Sequence, residues 1–194
     1  LPESVGPENA LTVIVSEEDQ DLILLYLEPL LYKPIYTPTI ENIYDVKIIN
    51  ADDFKNHMFK KNIIIASLIN PVDNNVDLLA NKIINQYDNK NIISLYDLYS
   101  KNQVIITLSA HDDIEFQKQI EDNNIWILNE INQNIEKNIL NKIYNSLLEI
   151  EIVNNIRENF SLDLLIDENY KIIRKSSNFL WIGRGMPYRW IVIN

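Results

Sequence analysis

The apolar positions of the first 110 residues follow two alternating periods. Ala10 to Ser16 (ALTVIVS) is apolar at nearly every position and rich in β-branched side chains, a run of strand length. Ser16 with Glu17, Glu18 and Asp19 then predicts the start of a helix that reaches about Leu31. Pro34 and Pro38 punctuate an extended connection, after which Tyr44, Val46 and Ile48 alternate with polar neighbours, as in a half-buried or edge strand. Asp52 to Phe59 reads as a short helical turn. Asn62 to Ile69 (NIIIASLI) is apolar nearly throughout, which suits a central strand covered on both faces. Asp73 is placed to cap a helix whose apolar set is Val76, Leu79, Ala80, Ile83 and Ile84, and Gln103 to Ala110 (QVIITLSA) returns as a strand.

With the short turn set aside, the order is β-α-β-β-α-β. It predicts an α+β fold, a ferredoxin-like antiparallel sheet over residues 1–111 with the Ala10 and Asn62 strands in the middle. Right-handed crossovers would put both helices on one face of that sheet, so the other face needs a separate cover.

Residues 112–158 supply a candidate. Ile127, Ile131, Ile135, Ile139, Ile143 and Leu147 recur every four residues, widened by Leu128, Leu140, Tyr144 and Leu148. This predicts a long amphipathic helix, or two in succession, with its isoleucine stripe buried. Asn123-Asn124 and the stretch from Glu149 to Ile152 are the expected breaks, because Asn side chains compete for the backbone. No strict heptad is present, so the helix should pack on its own domain rather than in a coiled coil. Residues 159–194 return to a period of two. Ser161 to Ile166, Lys171 to Lys175, Phe179 to Gly183 and Arg189 to Ile193 read as short strands joined by turns at Asp167-Glu168-Asn169, Ser176-Ser177-Asn178 and Gly183-Arg184-Gly185-Met186-Pro187. They predict the start of a second antiparallel β-sheet, expected to continue in residues beyond this chain.

Composition narrows the chemistry. A formal charge of -11 over 194 residues would repel phosphate backbones and anionic head groups alike, so neither nucleic acid nor a polybasic membrane contact is expected. The absence of Cys removes a thiol nucleophile, a thiolate metal site and a disulfide framework. No apolar run reaches the roughly 20 residues needed to span a bilayer. A chain beginning at Leu1 reads as a mature or trimmed product.

The candidate sites are few. His111-Asp112-Asp113 after a strand is what a helix N-terminus wants, ahead of a metal site. His57 beside Met58 and Phe59 has no zinc-type spacing around it, and Asp73 to Asp77 lacks the turn Gly and the distal Glu of a calcium loop. Gly183-Arg184-Gly185 is no phosphate loop, since the third Gly would fall at Tyr188. No catalytic residue, metal or cofactor is therefore expected. The closing NFLWIGRGMPYRWIVIN has two readings. Phe179, Trp181, Tyr188 and Trp190 could fill a core between sheet layers, with Phe179 and Trp181 on one face of their strand and Leu180 and Ile182 on the other. Alternatively Trp181, Arg184, Arg189 and Trp190 could form a binding surface, since Arg and Trp dominate binding hot spots and the two cations also suit an anionic ligand.

Several segments together resemble a known family. PLLYKPIYTPTIENIYDVKIINADDF (Pro29 to Phe54), the FKKNIIIASL that follows, SKNQVIITLSAHDD (Ser100 to Asp113) and NFLWIGRGMPYRWIVI are similar to an uncharacterised family of bacterial envelope lipoproteins, a domain of unknown function. The resemblance covers essentially the whole chain. It implies a signal peptide ending in a lipidated Cys, a Pro-Pro-Glu connection at Pro34, Pro38 and Glu41, and an aromatic-Arg segment at Phe179, Trp181 and Arg184 followed by further strands. The anchoring Cys is not among these residues, and family members are longer. The resemblance thus implies a periplasmic or surface protein, lipid-anchored, acting as a non-catalytic binding or assembly module with an envelope protein partner. The alternative is an enzyme whose active site is completed by further C-terminal strands.

Overall fold

The computed structural model describes residues 1–36, 40–68, 74–85, 91–185 and 188–194. Ile69 at the end of the expected strand, Pro38 of the connection, Asp73 as a cap, and Met186 and Pro187 of the last turn lie outside the described residues. The chain forms two compact units, Leu1–Asn138 and Ile139–Asn194. The division falls inside the helical segment that the sequence set apart as residues 112–158.

The first unit runs β1 (Ala10–Val15), α1 (Gln20–Leu31), the two-residue strands β2 (Pro34–Ile35) and β3 (Glu41–Asn42), β4 (Asp45–Asn50), a 3-10 turn at Ala51–Asp53, α2 (Phe54–His57), β5 (Asn62–Leu68), α3 (Asn74–Ile84), β6 (Ile92–Tyr96), β7 (Val104–Ala110) and most of α4 (Asp113–Asn145). Helices and a sheet are mixed as expected, but the ferredoxin-like antiparallel arrangement is not what forms. The sheet order is β4-β1-β5-β7-β6, in which β4, β1, β5 and β7 are parallel and only β6 runs the other way. Two features produce the difference. Parallel strands need a crossover, and the segment from Ala51 to Lys61, with its 3-10 turn and α2, supplies one between β4 and β5. Setting that short helix aside turned a crossover into an apparent hairpin. The second feature is β6, an additional strand that pairs antiparallel with β7 and leaves β7 parallel to β5.

Both β1 and β5 are internal, as their apolar continuity requires. β7 is buried at every position, and β5 and β1 at all but one each, while β4 and β6, at the edges, each have a single buried position. Helices cover both faces rather than one. Leu11, Val13, Ile64, Ala66, Ile106 and Leu108 meet Ile23 and Leu27 of α1 and Phe116, Ile120, Ile127 and Ile131 of α4. Ile14, Ile63, Ile65 and Ile105 meet Val76, Ala80 and Ile83 of α3, with Phe54 of α2 at the margin. Each such aliphatic side chain contributes roughly 1.5–3 kcal/mol on burial, so two covered faces give this sheet the larger share of apolar burial.

The start of α4 is capped as its sequence indicated. Asp112 Oδ1 accepts from Glu115 N–H at 2.8 Å, and Glu115 Oε2 accepts from His111 N–H at 2.7 Å. Asn123 and Asn124 do not interrupt the helix; the break falls between Asn145 and Ile150. The isoleucine stripe is buried only as far as Ile131, Ile135 is partly buried, and Ile139 is 42% exposed. The cause is geometric. Four residues advance an α-helix about 40° beyond a full turn, so a period-four stripe rotates off the core. Burial instead steps to Asn134 and Asn138. Asn134 Nδ2 donates to Asn62 Oδ1 (2.9 Å) and Lys61 O (3.1 Å), and Asn138 Nδ2 to Asn102 O (3.0 Å), fixing the helix to the amino end of the sheet.

The second unit comprises the end of α4, α5 (Ile150–Phe160), β8 (Lys171–Ser176), β9 (Phe179–Arg184) and β10 (Arg189–Ile193). The strands form an antiparallel sheet in the order β10-β9-β8. Ser161 to Ile166, read as a strand, is not one. Ser161 instead closes α5 in the left-handed conformation (φ 54), its N–H donating to Arg157 O at 3.1 Å, and Leu162, Leu164 and Leu165 stay exposed.

Candidate functional site

Among the described residues, a helix covers one face of the second sheet. α5 presents Ile152, Val153 and Ile156 to Leu180 and Ile182, with Ile166, Ile172, Ile191 and Ile193 around them. Alternation puts Phe179, Trp181 and Gly183 on the opposite face, and cross-strand pairing of Trp190 with Gly183 and of Val192 with Trp181 adds those two side chains to it. The core is therefore built from the Leu180 face and not from the aromatic one. Trp190 is 66% exposed, Val192 56% and Ile173 48%, and Tyr188 is also exposed, so Tyr188 and Trp190 do not fill a core between sheet layers.

The aromatic face has a defined geometry. The Trp181 and Trp190 rings meet edge to face at 83° with centroids 6.4 Å apart, an arrangement favoured by the ring quadrupoles. A Cβ on Gly183 would lie 2.6 Å from Trp190 Cδ1 and 2.7 Å from Ile173 Cδ1. A side chain at 183 would have to displace the indole of one neighbour or the methyl of the other, which close over a bare backbone. Register shifts between Ile172 and Arg174, an irregularity of β8 that places Arg174 opposite Trp181 with Ile173 extra. Trp181 Nε1 is buried without a hydrogen-bond partner among the described residues.

The sheet separates the four residues that the sequence grouped. Trp181 and Trp190 share the outer face. Arg184 lies on the α5 side, its Nη1 donating to Asp167 Oδ2 at 3.3 Å and its guanidinium carbon 5.5 Å from the Tyr170 ring centroid. Arg189 stands opposite Arg184 in register, exposed and without an ion-pair partner among the described residues. Arg184 is therefore held by its own chain, while Arg189 is free at the rim. Ile173, Arg174 and Val192 were missed as members of this face. Val192 was legible two residues beyond Trp190, whereas the irregularity that brings in Ile173 had no sequence signal.

The remaining candidates are less developed. His57 Nε2 lies 3.0 Å from Lys47 Nζ and its Nδ1 3.1 Å from Asp53 O, local contacts of a short helix. Asp77 accepts from Asn81 Nδ2 at 2.8 Å, and burial raises its carboxyl above the ordinary value, partly countered by that bond. Among the described residues no group of three or more His, Asp or Glu could hold a metal ion, and no helix is long and apolar enough to cross a membrane. A groove of about 420 Å³ lies between α1 and α4, lined by Leu25, Tyr26, Leu30, Lys33, Ile120 and Glu121 among others. In open α/β sheets ligands bind outside the carboxyl ends of the strands. There, Ser16 Oγ donates to Asp19 Oδ2 at 2.9 Å and accepts from Asp19 N–H at 3.1 Å, a local turn before α1. The hydroxyls of Thr107 and Ser109 on the α3 side of β7 are buried without partners among the described residues, which do not include residues 69–73 following β5.

No family model matches the chain, and no match is found among curated proteins or solved structures.

Proposed function

We propose that this chain is a non-catalytic binding or assembly module of the bacterial cell envelope, and that it binds through the outer face of the β8–β10 sheet. The observation that carries the binding role is the aromatic face itself. Trp190, Val192 and Ile173 are exposed together over Trp181 on a strand framework whose other face is already occupied by α5. Contiguous exposed apolar surface of this kind marks interaction sites, and Trp is the residue most enriched at their energetic centres. The envelope location, with lipid anchoring and an envelope protein as the first partner to seek, rests on the resemblance of the Pro29–Phe54, Ser100–Asp113 and Asn178–Ile193 segments to envelope lipoproteins.

A photoreactive side chain at position 190 of the complete protein, in intact cells, tests the reading, with position 125 on α4 as an exposed control. A discrete adduct from position 190 and none from 125 is expected. Irradiation that yields no adduct from 190, or the same adducts from both positions, removes this face as the recognition surface.

A further inference from the structure

The two edges of the β8–β10 sheet are unequal. β8 is irregular between Ile172 and Arg174 and carries Lys171, Arg174 and Lys175, the kind of distortion and charge with which proteins keep an edge from pairing. β10 has neither device. It runs in unbroken register over five pairs with β9, and its one charged residue, Arg189, stands at its first position. The rest, Trp190-Ile191-Val192-Ile193, is aromatic or β-branched throughout. Among the described residues no strand pairs with its outer edge. Alternate residues there direct their N–H and C=O groups away from β9, as a template for another strand.

We propose that β10 pairs antiparallel with β10 of a second copy, joining two three-stranded sheets into one of six. The strand is complementary to itself in one register. Centred on Ile191, the pairing engages all five residues of both strands: Ile191 meets Ile191, Trp190 meets Val192, and Arg189 meets Ile193 of the second copy. Trp190 with Val192 is an aromatic and β-branched cross-strand pair, a favourable combination that symmetry supplies twice. The same type of pair exists inside the sheet, where Val192 stands opposite Trp181, so Val192 would gain an indole on its open side. On the α5 side Ile191 and Ile193, only partly buried at the margin of the core, would be covered by Ile191 and by the Arg189 stem of the second copy. Charge favours this register as well. Four residues of strand hold the two Arg189 positions about 14 Å apart along the seam, beyond the roughly 8 Å of screening at physiological ionic strength. A register centred on Trp190 would pair only residues 189–191 and bring the arginines to about 7 Å. Assembly closes at two copies, because a two-fold axis uses both β10 edges and leaves only the blunted β8 edges. That axis is normal to the sheet, so the outer faces of both copies lie on the same side and stay open. With five residues a side, the seam is small against the roughly 20–30 of a standard interface, so a reversible dimer of micromolar affinity is expected.

Sedimentation velocity of the complete chain at increasing micromolar concentration should show a monomer–dimer equilibrium and no larger species. Added salt should strengthen it, because copies of net charge -11 repel each other. Val192→Lys, an exposed substitution, puts a lysine opposite Trp190 at both ends of the ladder and should weaken the dimer roughly tenfold, while its unfolding midpoint confirms that it folds. The chain has no Cys, so single cysteines read the register. Ile191→Cys, opposite itself, should oxidise to a covalent dimer. Trp190→Cys and Val192→Cys should crosslink about tenfold faster when mixed than alone, because only opposed positions bring Cα atoms within the roughly 7 Å that a disulfide spans. Ile173→Cys, exposed on the β8 edge, should stay monomeric. A chain that sediments as a monomer throughout, growth beyond dimers, or a dimer that Val192→Lys leaves unchanged overturns the proposal. So does crosslinking at Ile173→Cys equal to that at Ile191→Cys. Faster crosslinking of Trp190→Cys alone than of the mixture would place the contact between the tryptophan faces and overturn it too. The recognition surface proposed above depends on none of these outcomes and is judged by its own crosslinking in cells.

Discussion

The two larger sheets of this protein use similar apolar content in opposite ways. In the first unit the four parallel strands are covered on both faces, by α1 and α4 on one side and by α2 and α3 on the other. In the second, α5 covers a three-stranded antiparallel sheet on one face, and the other face keeps Trp190, Val192 and Ile173 in the open. The first sheet has spent its apolar surface on folding and offers little of it to a partner. The second keeps exposed large side chains, Trp190 and Val192 among them, on the face that α5 leaves uncovered. The proposed binding role therefore follows the uncovered face and not the larger fold.

Removing one side chain from the doubly covered sheet should have the largest effect. Phe116 is fully buried against β-strand residues and meets Tyr26 with ring centroids 6.4 Å apart. Phe116→Ala should cost about 3–5 kcal/mol, as core aromatic truncations do, measured by denaturant unfolding of the complete chain. A cost below about 1 kcal/mol would show that the α4 face is not core and would erase the contrast between the sheets.

Within the second sheet the contrast becomes one of adjacent residues. Leu180 is buried against α5, so Leu180→Ala should cost about 2–5 kcal/mol. Trp190→Ala, though it removes the larger side chain, should cost only about 0.5–1.5 kcal/mol, the worth of its edge-to-face contact with Trp181. The reverse order, read from thermal and denaturant unfolding, would mean that the aromatic face is the core after all. Gly183→Ala falls between them. Its Cβ would meet Trp190 and Ile173 side chains at 2.6 and 2.7 Å, so overpacking of about 1–3 kcal/mol is expected unless they swing away. Adding Trp190→Ala to Gly183→Ala should recover part of the loss, and no recovery would show that the crowding lies elsewhere.

These contrasts also define what the sequence could convey. Runs such as NIIIASL and VIITLSA announced internal strands because apolar continuity requires two covered faces. Strand direction was less legible, since apolar residues carry no polarity along the chain and direction lay in a connection of one 3-10 turn and four helical residues. The stripe on α4 misled for a related reason: a spacing of four resembles 3.6 over two turns and departs from it over six. In β9 the period of two was plain, yet FLWIGR has apolar residues on both faces. Which face became core was decided by Ile152, Val153 and Ile156 arriving from α5. The grouping of Trp181 and Trp190 with Arg184 and Arg189 failed on strand alternation and on Asp167, which holds Arg184 on the other side.

The smallest effect tests how α4 is tied to the margin of the first sheet. Tyr96, at the end of the edge strand β6, donates its hydroxyl to Glu130 Oε2 at 2.9 Å. Burial, the hydrogen bond and the Glu130 charge together push its phenol from the ordinary 10.0 up to about 12, burial contributing most. The folded state therefore keeps this proton after the unfolded chain has lost it. Stability contributed by the neutral phenol is complete below pH 10 and is lost as pH rises from 10 toward about 12. Tyr96→Phe should flatten that part of the stability–pH profile, leaving the slope from the other tyrosines. Glu130→Gln should bring the phenol back only partway, because burial remains. Residue-specific titration of the ring by nuclear magnetic resonance reads both changes. A Tyr96 phenol that titrates normally in the unsubstituted protein would mean that β6 and α4 are not in contact at Glu130, and that the edge of the first sheet is as open as the outer face of the second.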